Sequence, residues 1–444
     1  MRLTARKLLW GAATRLRLLA RRQLPAWRRF RAADAARPAP AVTTGRRLLL
    51  LTWEFPPQVT GGVYRPLSFV RHAAASGWQA EVVCGPAPDL PSEAGHHLAG
   101  LLPADVPVTR VGADTGPHPW PLPKLDGGIL HALSLFEAAA TRIRPGQGGV
   151  ILASGPPFAS FVAGYWLARH TGWKLVLDYR DEWTENPHGV VRCDRTNRKW
   201  ETRCQARADV VLFTTRAQLE HQVATFPELE RSKCEIVYNG WESSDFESMA
   251  DLPAGALTSR DLMALTFVGN LGPWWEIETF LADAVEALKI QPELTRRLQI
   301  RFVGRINPAV AAAIKRFSPP LSIVTTGELP KPAALREMLE ADALLLPNPP
   351  RLARYIAGKT YEYVAAGRPI LVHGTGGEIQ RIVDPLGMAV VVAQRAPGLL
   401  AEALTRTLAS VGRDDDKSRH WLTERTRESS ARHLYALLDR MTMV

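Results

Sequence analysis

Residues 47–65 read RLLLLTWEFPPQVTGGVYR. The run from Arg47 to Thr52 is short and almost wholly apolar, as expected of a parallel strand covered on both faces and so free of any need to alternate. Pro56-Pro57 and Gly61-Gly62 then punctuate a turn-rich loop, and Leu67, Val70 and Ala73 to Ala75 continue as a helix. A strand that passes through a glycine loop into a helix is the repeating unit of doubly wound α/β sheets.

The same unit recurs downstream. Strands are expected at 81–85, 150–153, 174–178, 210–213 and 234–238, with a helix at about 158–171 and a polar helix ahead of 210. The alternation lapses in a polar connection and starts again: strands at 264–268, 299–303, 321–325, 343–346, 370–372 and 388–392 are separated by helices at 277–290, 308–316, 332–340, 359–366 and 377–383. The chain therefore divides into an N-terminal Rossmann-like domain over 46–245, a connection over 246–262, a second Rossmann-like domain over 263–414 and C-terminal helices over 415–444. Two such halves are expected to face a cleft, where α/β proteins take their ligands.

Length and composition agree with a two-domain enzyme: 444 residues, 46% hydrophobic and 22% charged. No apolar stretch reaches the length of about 18 residues that spans a bilayer. Cys84, Cys193, Cys204 and Cys234 are scattered without metal-ligand spacing, the pattern of reduced cysteines in a reducing compartment. The net charge of +11 is almost entirely local. Residues 1–45 hold Arg2, Arg6, Lys7, Arg15, Arg17, Arg21, Arg22, Arg28, Arg29, Arg31 and Arg37 against the single acid Asp34. The rest is near neutral, which argues against a nucleic-acid-binding body. Within 1–32, Leu3, Leu8, Leu9, Trp10, Leu16, Leu19 and Leu24 alternate with arginines at roughly helical spacing. Such a segment suits an anionic membrane surface, with arginines reaching phosphates, and a transit peptide has the same composition. Pro38 and Pro40 mark a linker after it.

Two loops at strand ends carry chemistry. Gly61-Gly62, with Arg65 three residues on, lets backbone pass close to a ligand and leaves N–H groups for an anion; a plain tight turn has the same look. The second is Gly358-Lys359-Thr360-Tyr361-Glu362-Tyr363, which opens a helix. A lysine there adds charge to the free N–H groups that meet a diphosphate, and Glu362, one turn on, is placed for a ribose diol. The spacing of a P-loop is absent.

Taken together, TWEFPPQVTGGVYR (52–65), SGPPF (154–158), DYRDEWT (178–184), YNG (238–240), FVG (267–269) and GKTYEYVAAGRP (358–369) resemble the family-4 glycosyltransferases, in the branch serving bacterial cell-surface polysaccharides. They occur in the family's order over about residues 47–410. The resemblance implies a GT-B fold, an NDP-sugar donor held by the C-terminal domain, an acceptor held by the N-terminal one, retention of anomeric configuration and no cofactor or obligate metal. Position by position, Glu362 matches the second Glu of the family's paired-Glu motif, whereas the first falls on Arg354. The basic pair expected after Gly269 is replaced by Asn270, Leu271, Gly272, Pro273, Trp274 and Trp275.

These readings assign Gly61, Gly62, Gly269, Lys359, Thr360 and Glu362 to the donor, with the diphosphate against Gly62 and Lys359. Arg65, Ser154, Asp178, Arg180 and Glu378 go to the acceptor or the transferred sugar, and Asp181 is the catalytic candidate, a carboxylate that orients or deprotonates the acceptor hydroxyl. Asp178 and Arg180 read equally well as a structural ion pair, Glu378 as a helix cap, and His188 as a loop histidine near enough to serve as base. The expected partners are a nucleotide-sugar donor, a lipid-linked saccharide or glycan acceptor and, through residues 1–32, an anionic membrane at the inner face of the cytoplasmic membrane. Two other classes of function fit the departures at Arg354 and Asn270: a GT-B scaffold that binds without turnover, and a sugar-nucleotide epimerase.

Overall fold

The computed structural model describes residues 25–35, 38–40, 45–113, 116, 118–119, 121–144, 146–189, 191, 193–247, 262–272, 274–409 and 416–442. Most of the basic leader, residues 1–24, and most of the interdomain connection, residues 248–261, lie outside them. The chain separates into two compact units, one made of Met1–Phe213, His221–Glu235 and Arg432–Val444, the other of Thr214–Glu220 and Ile236–Ala431.

In the first unit the strands are β1 (Arg47–Thr52), β2 (Gln79–Cys84), β3 (Val108–Arg110), β4 (Val150–Gly155), β5 (Lys174–Tyr179), β6 (Val210–Phe213) and β7 (Cys234–Ile236). They form one sheet in the order β3-β2-β1-β4-β5-β6-β7. β1 pairs in parallel with β2 and β4, so that Leu50 stands beside Val82 on one side and Leu152 on the other. Leu48 to Leu51 and all of β4 are buried, which is why these strands read as unbroken apolar runs. The edge strand β3 escapes that signal: it is three residues, VTR, with no buried position.

Helices α1 (25–35), α2 (Tyr64–Arg71), α3 (Glu93–Gly100), α4 (Ile129–Ala140), α5 (Ala159–Thr171), α6 (Arg195–Arg207) and α7 (Arg216–Thr225) follow in chain order, the first turn of α7 belonging to the second unit. α1 takes the last part of the segment read as a membrane helix, and its inner face is docked on the fold. Arg29 makes a bidentate ion pair with Glu137 of α4 at 2.7 and 2.8 Å. Asp34 accepts from Trp166 of α5 at 3.1 Å and from Arg203 of α6 at 2.6 Å, and Phe30 packs edge-on against Trp166 and Trp200. Trp27, Arg28 and Arg31 face outward.

The second unit holds α8 (Ser243–Glu247), β8 (Met263–Val268), α9 (Ile277–Ile290), β9 (Leu298–Val303), α10 (Pro308–Phe317), β10 (Ser322–Gly327), α11 (Lys331–Glu340), β11 (Ala343–Asn348), α12 (Gly358–Ala365), β12 (Ile370–Gly374), α13 (Gly377–Val383), β13 (Ala389–Val392), α14 (Pro397–Ala409) and α15 (Asp416–Glu424). Its sheet runs β10-β9-β8-β11-β12-β13 with parallel pairing throughout. Both units are thus Rossmann-like doubly wound parallel sheets. The sequence pattern places the last helix, α16 (Arg427–Thr442), in a terminal tail, yet its residues from Arg432 count in the first unit. Tyr435 donates its hydroxyl to the carbonyl of Phe69 at 2.6 Å, and Asp439 accepts from Trp78 at 3.0 Å. Among the described residues no helix is long and apolar enough to cross a membrane.

Candidate functional site

In the first unit β1, β4 and β5 are neighbours and parallel, so the loops that follow them share one edge of the sheet. Asp178 near the end of β5 is fully buried. Arg65 of α2 donates to it from Nε at 3.0 Å and Nη2 at 2.8 Å, and Ser154 Oγ donates at 2.8 Å. Three residues expected to touch the acceptor are therefore brought together, but facing one another in the interior, where they brace α2 against β4 and β5. A buried charge needs such a partner, and the partner leaves no face for an acceptor.

Arg180 and Asp181 come next on the chain. The Arg180 guanidinium pairs with Glu54 at 3.1 Å and also donates to the carbonyl of Pro156, so it ties the loops after β1, β4 and β5 into one cluster. Gly62 completes it. A Cβ on Gly62 would collide with the Arg180 guanidinium and the Glu54 carboxylate, whereas one on Gly61 would meet nothing within 4 Å. The glycine at 62 thus leaves room for the ion pair beside it.

Asp181 is half-buried. Burial raises its pKa above the ordinary carboxylate value, with Glu54 acting in the same direction and His188 and Arg180 opposing. A carboxyl so placed, exposed on one side and shifted toward neutrality, suits proton exchange with a hydroxyl. Glu54 was not singled out from the sequence. The available signal was an acid in the loop directly after the first strand.

The second unit gathers its residues at the start of α12. Gly269 follows β8 with φ +139°, a conformation L side chains rarely adopt, and a Cβ there would stand 2.6 Å from Lys359 Nζ. The Lys359 ammonium lies 3.8 Å from the ring centre of Phe267 and 5.7 Å from that of Trp274. Burial lowers its pKa to about 7, and nearby Glu362 opposes the shift. Thr360 is fully buried, and its Oγ1 has no hydrogen-bond partner among the described residues. Glu362 is half-buried with Lys331 at 3.8 Å, and Lys331 also contacts Asp245. Tyr363 accepts from the Val268 N–H at 2.9 Å and fixes α12 to the end of β8.

The loop after β8 accounts for the missing basic pair. Leu271 and Trp275 are buried in the core of the unit, so the segment folds inward and presents no cation of its own. Lys359 stands beside the Gly269 end of this loop, Lys331 beside Glu362, and Arg351 approaches the same loop by donating to the carbonyl of Trp274. Arg354 is half-buried, and its carbonyl accepts from Thr215 at 2.5 Å. Glu378 is buried at the start of α13. Its backbone N–H donates to Ala353, Arg381 lies 3.1 Å from its carboxylate, and the Ala217 N–H donates to that carboxylate. Burial raises its pKa despite those partners. It ties α13 to the first turn of α7 and stands in the first turn of α13, where an acid meets the positive end of the helix.

Sequence comparison separates the same two halves. Residues 60–240 match the family described as "Glycosyl transferase 4-like domain", and residues 263–410 match "Glycosyl transferases group 1". The chain belongs to the family-4 glycosyltransferases. No protein of curated function matches the sequence. Solved structures agree on the GT-B fold at low identity. A glycosyltransferase from Rickettsia africae ESF-5 is 13% identical with a TM-score of 0.61, over 89% of this chain and 98% of that one. The N-terminal domain of Candida albicans trehalose-6-phosphate phosphatase is 13% identical with a TM-score of 0.68, over 92% and 99%. An α,α-trehalose 6-phosphate synthase from Burkholderia multivorans is 12% identical with a TM-score of 0.64, over 90% and 97%.

For this glycosyltransferase the matched regions contain both clusters, Arg180–Asp181 with Glu54 lying just ahead of the first, and Lys359–Glu362 within the second. Among the described residues no three His, Cys, Asp or Glu side chains gather closely enough to hold a metal ion.

Proposed function

We propose that this glycosyltransferase moves a hexose-type sugar from an NDP-sugar to a lipid-linked or polysaccharide acceptor in cell-envelope or exopolysaccharide synthesis, with retention, without a metal or other cofactor, and at the inner face of the cytoplasmic membrane. The observation that carries the reading is the start of α12. A half-buried lysine held near neutrality, a buried hydroxyl with no partner among the described residues and a carboxylate one turn on are costly to keep unless a ligand completes them. A diphosphate meets Lys359 and Thr360, and a ribose diol meets Glu362. The acceptor hydroxyl gives up its proton, Asp181 being the group assigned to orient it or take that proton. The acceptor oxygen bonds to the anomeric carbon, and the bond from that carbon to the diphosphate breaks with its electron pair on phosphate. The outward side of α1, with Trp27, Arg28 and Arg31, supports the membrane assignment.

A thermal-shift and calorimetric panel with UDP, GDP, dTDP and ADP and their common sugars, on wild type and Lys359→Ala, tests the donor site. One nucleotide should bind tightly and lose affinity in the variant; no binding by any of them overturns the reading. A second reading, a scaffold that binds without turnover, draws on the inward-folded apolar loop after Gly269. Hydrolysis of the selected donor by wild type, lost in Glu362→Gln, would exclude it, and binding without hydrolysis would favour it.

A further inference from the structure

Helix α6 looks like a surface helix, RTNRKWETRCQAR, yet Asn197, Glu201 and Gln205 at intervals of four form a buried polar stripe along it. Each grips the segment that leaves β5. The Glu201 carboxylate accepts from the Thr184 N–H at 3.0 Å, from the Thr184 hydroxyl at 2.6 Å and from the Tyr179 hydroxyl at 3.2 Å. Gln205 donates to the same Tyr179 hydroxyl at 3.0 Å. Asn197 Oδ1 accepts from the Trp183 indole at 3.1 Å and from the Asp126 N–H at 3.0 Å.

The stripe therefore closes on both ends of one segment. Tyr179 is held at its start and Thr184 at its finish, and between them stand Arg180 and Asp181. Glu201 bonds to both ends. It is wholly buried, so water cannot replace either bond.

We propose that Glu201 is a positioning residue, which clamps the Tyr179–Thr184 segment at both ends and so fixes where Asp181 presents its carboxyl to the acceptor. The inference rests on the proposed role of Asp181. Loss of the clamp releases the segment at two points, and a misplacement of about 1 Å in a reacting group costs on the order of 100-fold in rate. Donor binding draws on residues of the other unit and is unaffected. The conservative amide keeps a tether to both ends: its oxygen accepts from Thr184, and its NH2 group donates to the Tyr179 oxygen, a bond reversed in direction for which the hydroxyl proton rotates away.

The test compares Glu201→Ala, Glu201→Gln, Thr184→Val and Asp181→Asn with wild type in the full chain. Amide hydrogen exchange over residues 179–188 needs no substrate. Exchange should accelerate in Glu201→Ala, stay near wild type in Glu201→Gln and rise in part in Thr184→Val; unchanged exchange in Glu201→Ala overturns the clamp. Hydrolysis of UDP-glucose, GDP-mannose, dTDP-glucose and ADP-glucose, with water as acceptor, gives the second readout. Glu201→Ala and Thr184→Val should lower kcat at unchanged KM for the donor, by about 100-fold and about 10-fold, with Glu201→Gln within about threefold of wild type. A purely structural role would lower active fraction and melting temperature without that split or that rescue, and overturns the proposal. Should Glu201→Ala fail to fold, Thr184→Val decides from the other side of the same bonds, and wild-type kcat there overturns it. Full activity in Asp181→Asn removes the proposed role of Asp181 and the inference with it. An inactive Asp181→Asn beside an unimpaired Glu201→Ala overturns the clamp alone. If wild type binds and hydrolyses none of the four donors, the functional reading fails, and a positioning role in transfer falls with it whatever the exchange shows.

Discussion

Lys359 offers the most discriminating measurement, because its ammonium is held near neutrality in the free protein and a diphosphate would pull it back to full charge. With a free pKa of about 7, only about a tenth of the molecules carry the proton at a pH of about 8. Binding an NDP-sugar, whose own diphosphate does not titrate in this range, should then take up close to one proton per site. Between a pH of about 6 and about 8 the affinity should fall roughly tenfold, since each unit above the free pKa costs about 1.4 kcal/mol. The assay is isothermal calorimetry of the selected donor in buffers of different ionisation enthalpy, which reads proton uptake directly. Lys359→Met keeps the stem and removes the charge. It should weaken binding by about 10- to 100-fold, the range of a charge-assisted hydrogen bond, and abolish both the uptake and the pH slope. Lys359→Arg stays charged throughout and should also lose the slope. Wild-type binding with no uptake, or a slope that survives in Lys359→Met, would refute the reasoning.

Four further outcomes follow from the same geometry. Thr360→Val removes a buried hydroxyl that has no partner among the described residues, so the melting temperature without ligand should hold or rise while donor affinity drops by about fivefold, roughly 1 kcal/mol; a loss of stability without loss of affinity would contradict it. Gly62→Ala sets its methyl group against the tips of the Arg180 and Glu54 side chains, which can swing aside, so it should loosen their ion pair at a cost of no more than about 1 kcal/mol in chemical denaturation, and Gly61→Ala should be neutral. Asp178→Asn leaves Arg65 charged and buried beside a neutral partner, and should cost about 3–5 kcal/mol with or without donor. Glu201 is raised from an unfolded value of 4.5 to about 7, chiefly by burial. Its stabilising effect is complete below the unfolded value and is lost as pH rises through the folded one, so Glu201→Gln should gain on wild type by up to about 3 kcal/mol between a pH of about 5 and about 8, read as the difference between their denaturation curves.

Much of the fold is legible in the sequence because a parallel sheet covered on both faces needs unbroken apolar strands. Arg47–Thr52 and Val210–Phe213 are read to the residue on that basis, and the glycine and lysine loops fall at carboxyl ends of strands where the alternation puts them. Both sites' backbone positions were therefore available early. Edge strand β3 was not, since VTR buries nothing and so leaves no pattern. Helix α1 shows in the sequence only as a basic amphipathic segment, because the groups that dock it lie more than a hundred residues away: Asp34 meets Trp166 and Arg203, and Arg29 meets Glu137.

Local pattern thus determined which segments are strands, where the loops lie and which loop opens with a lysine. It could not say what stands next to each side chain, because polar burial is decided by partners distant in sequence. Arg65 and Asp178 look like ligand contacts until the sheet puts them against each other, and Gly62 looks open until Arg180 and Glu54 take up the space beside it. Glu201 sits in a helix whose composition is that of a solvated surface. Only the packing of α6 against the end of β5 removes it from water and turns an ordinary glutamate into the residue that holds both ends of the segment carrying Asp181.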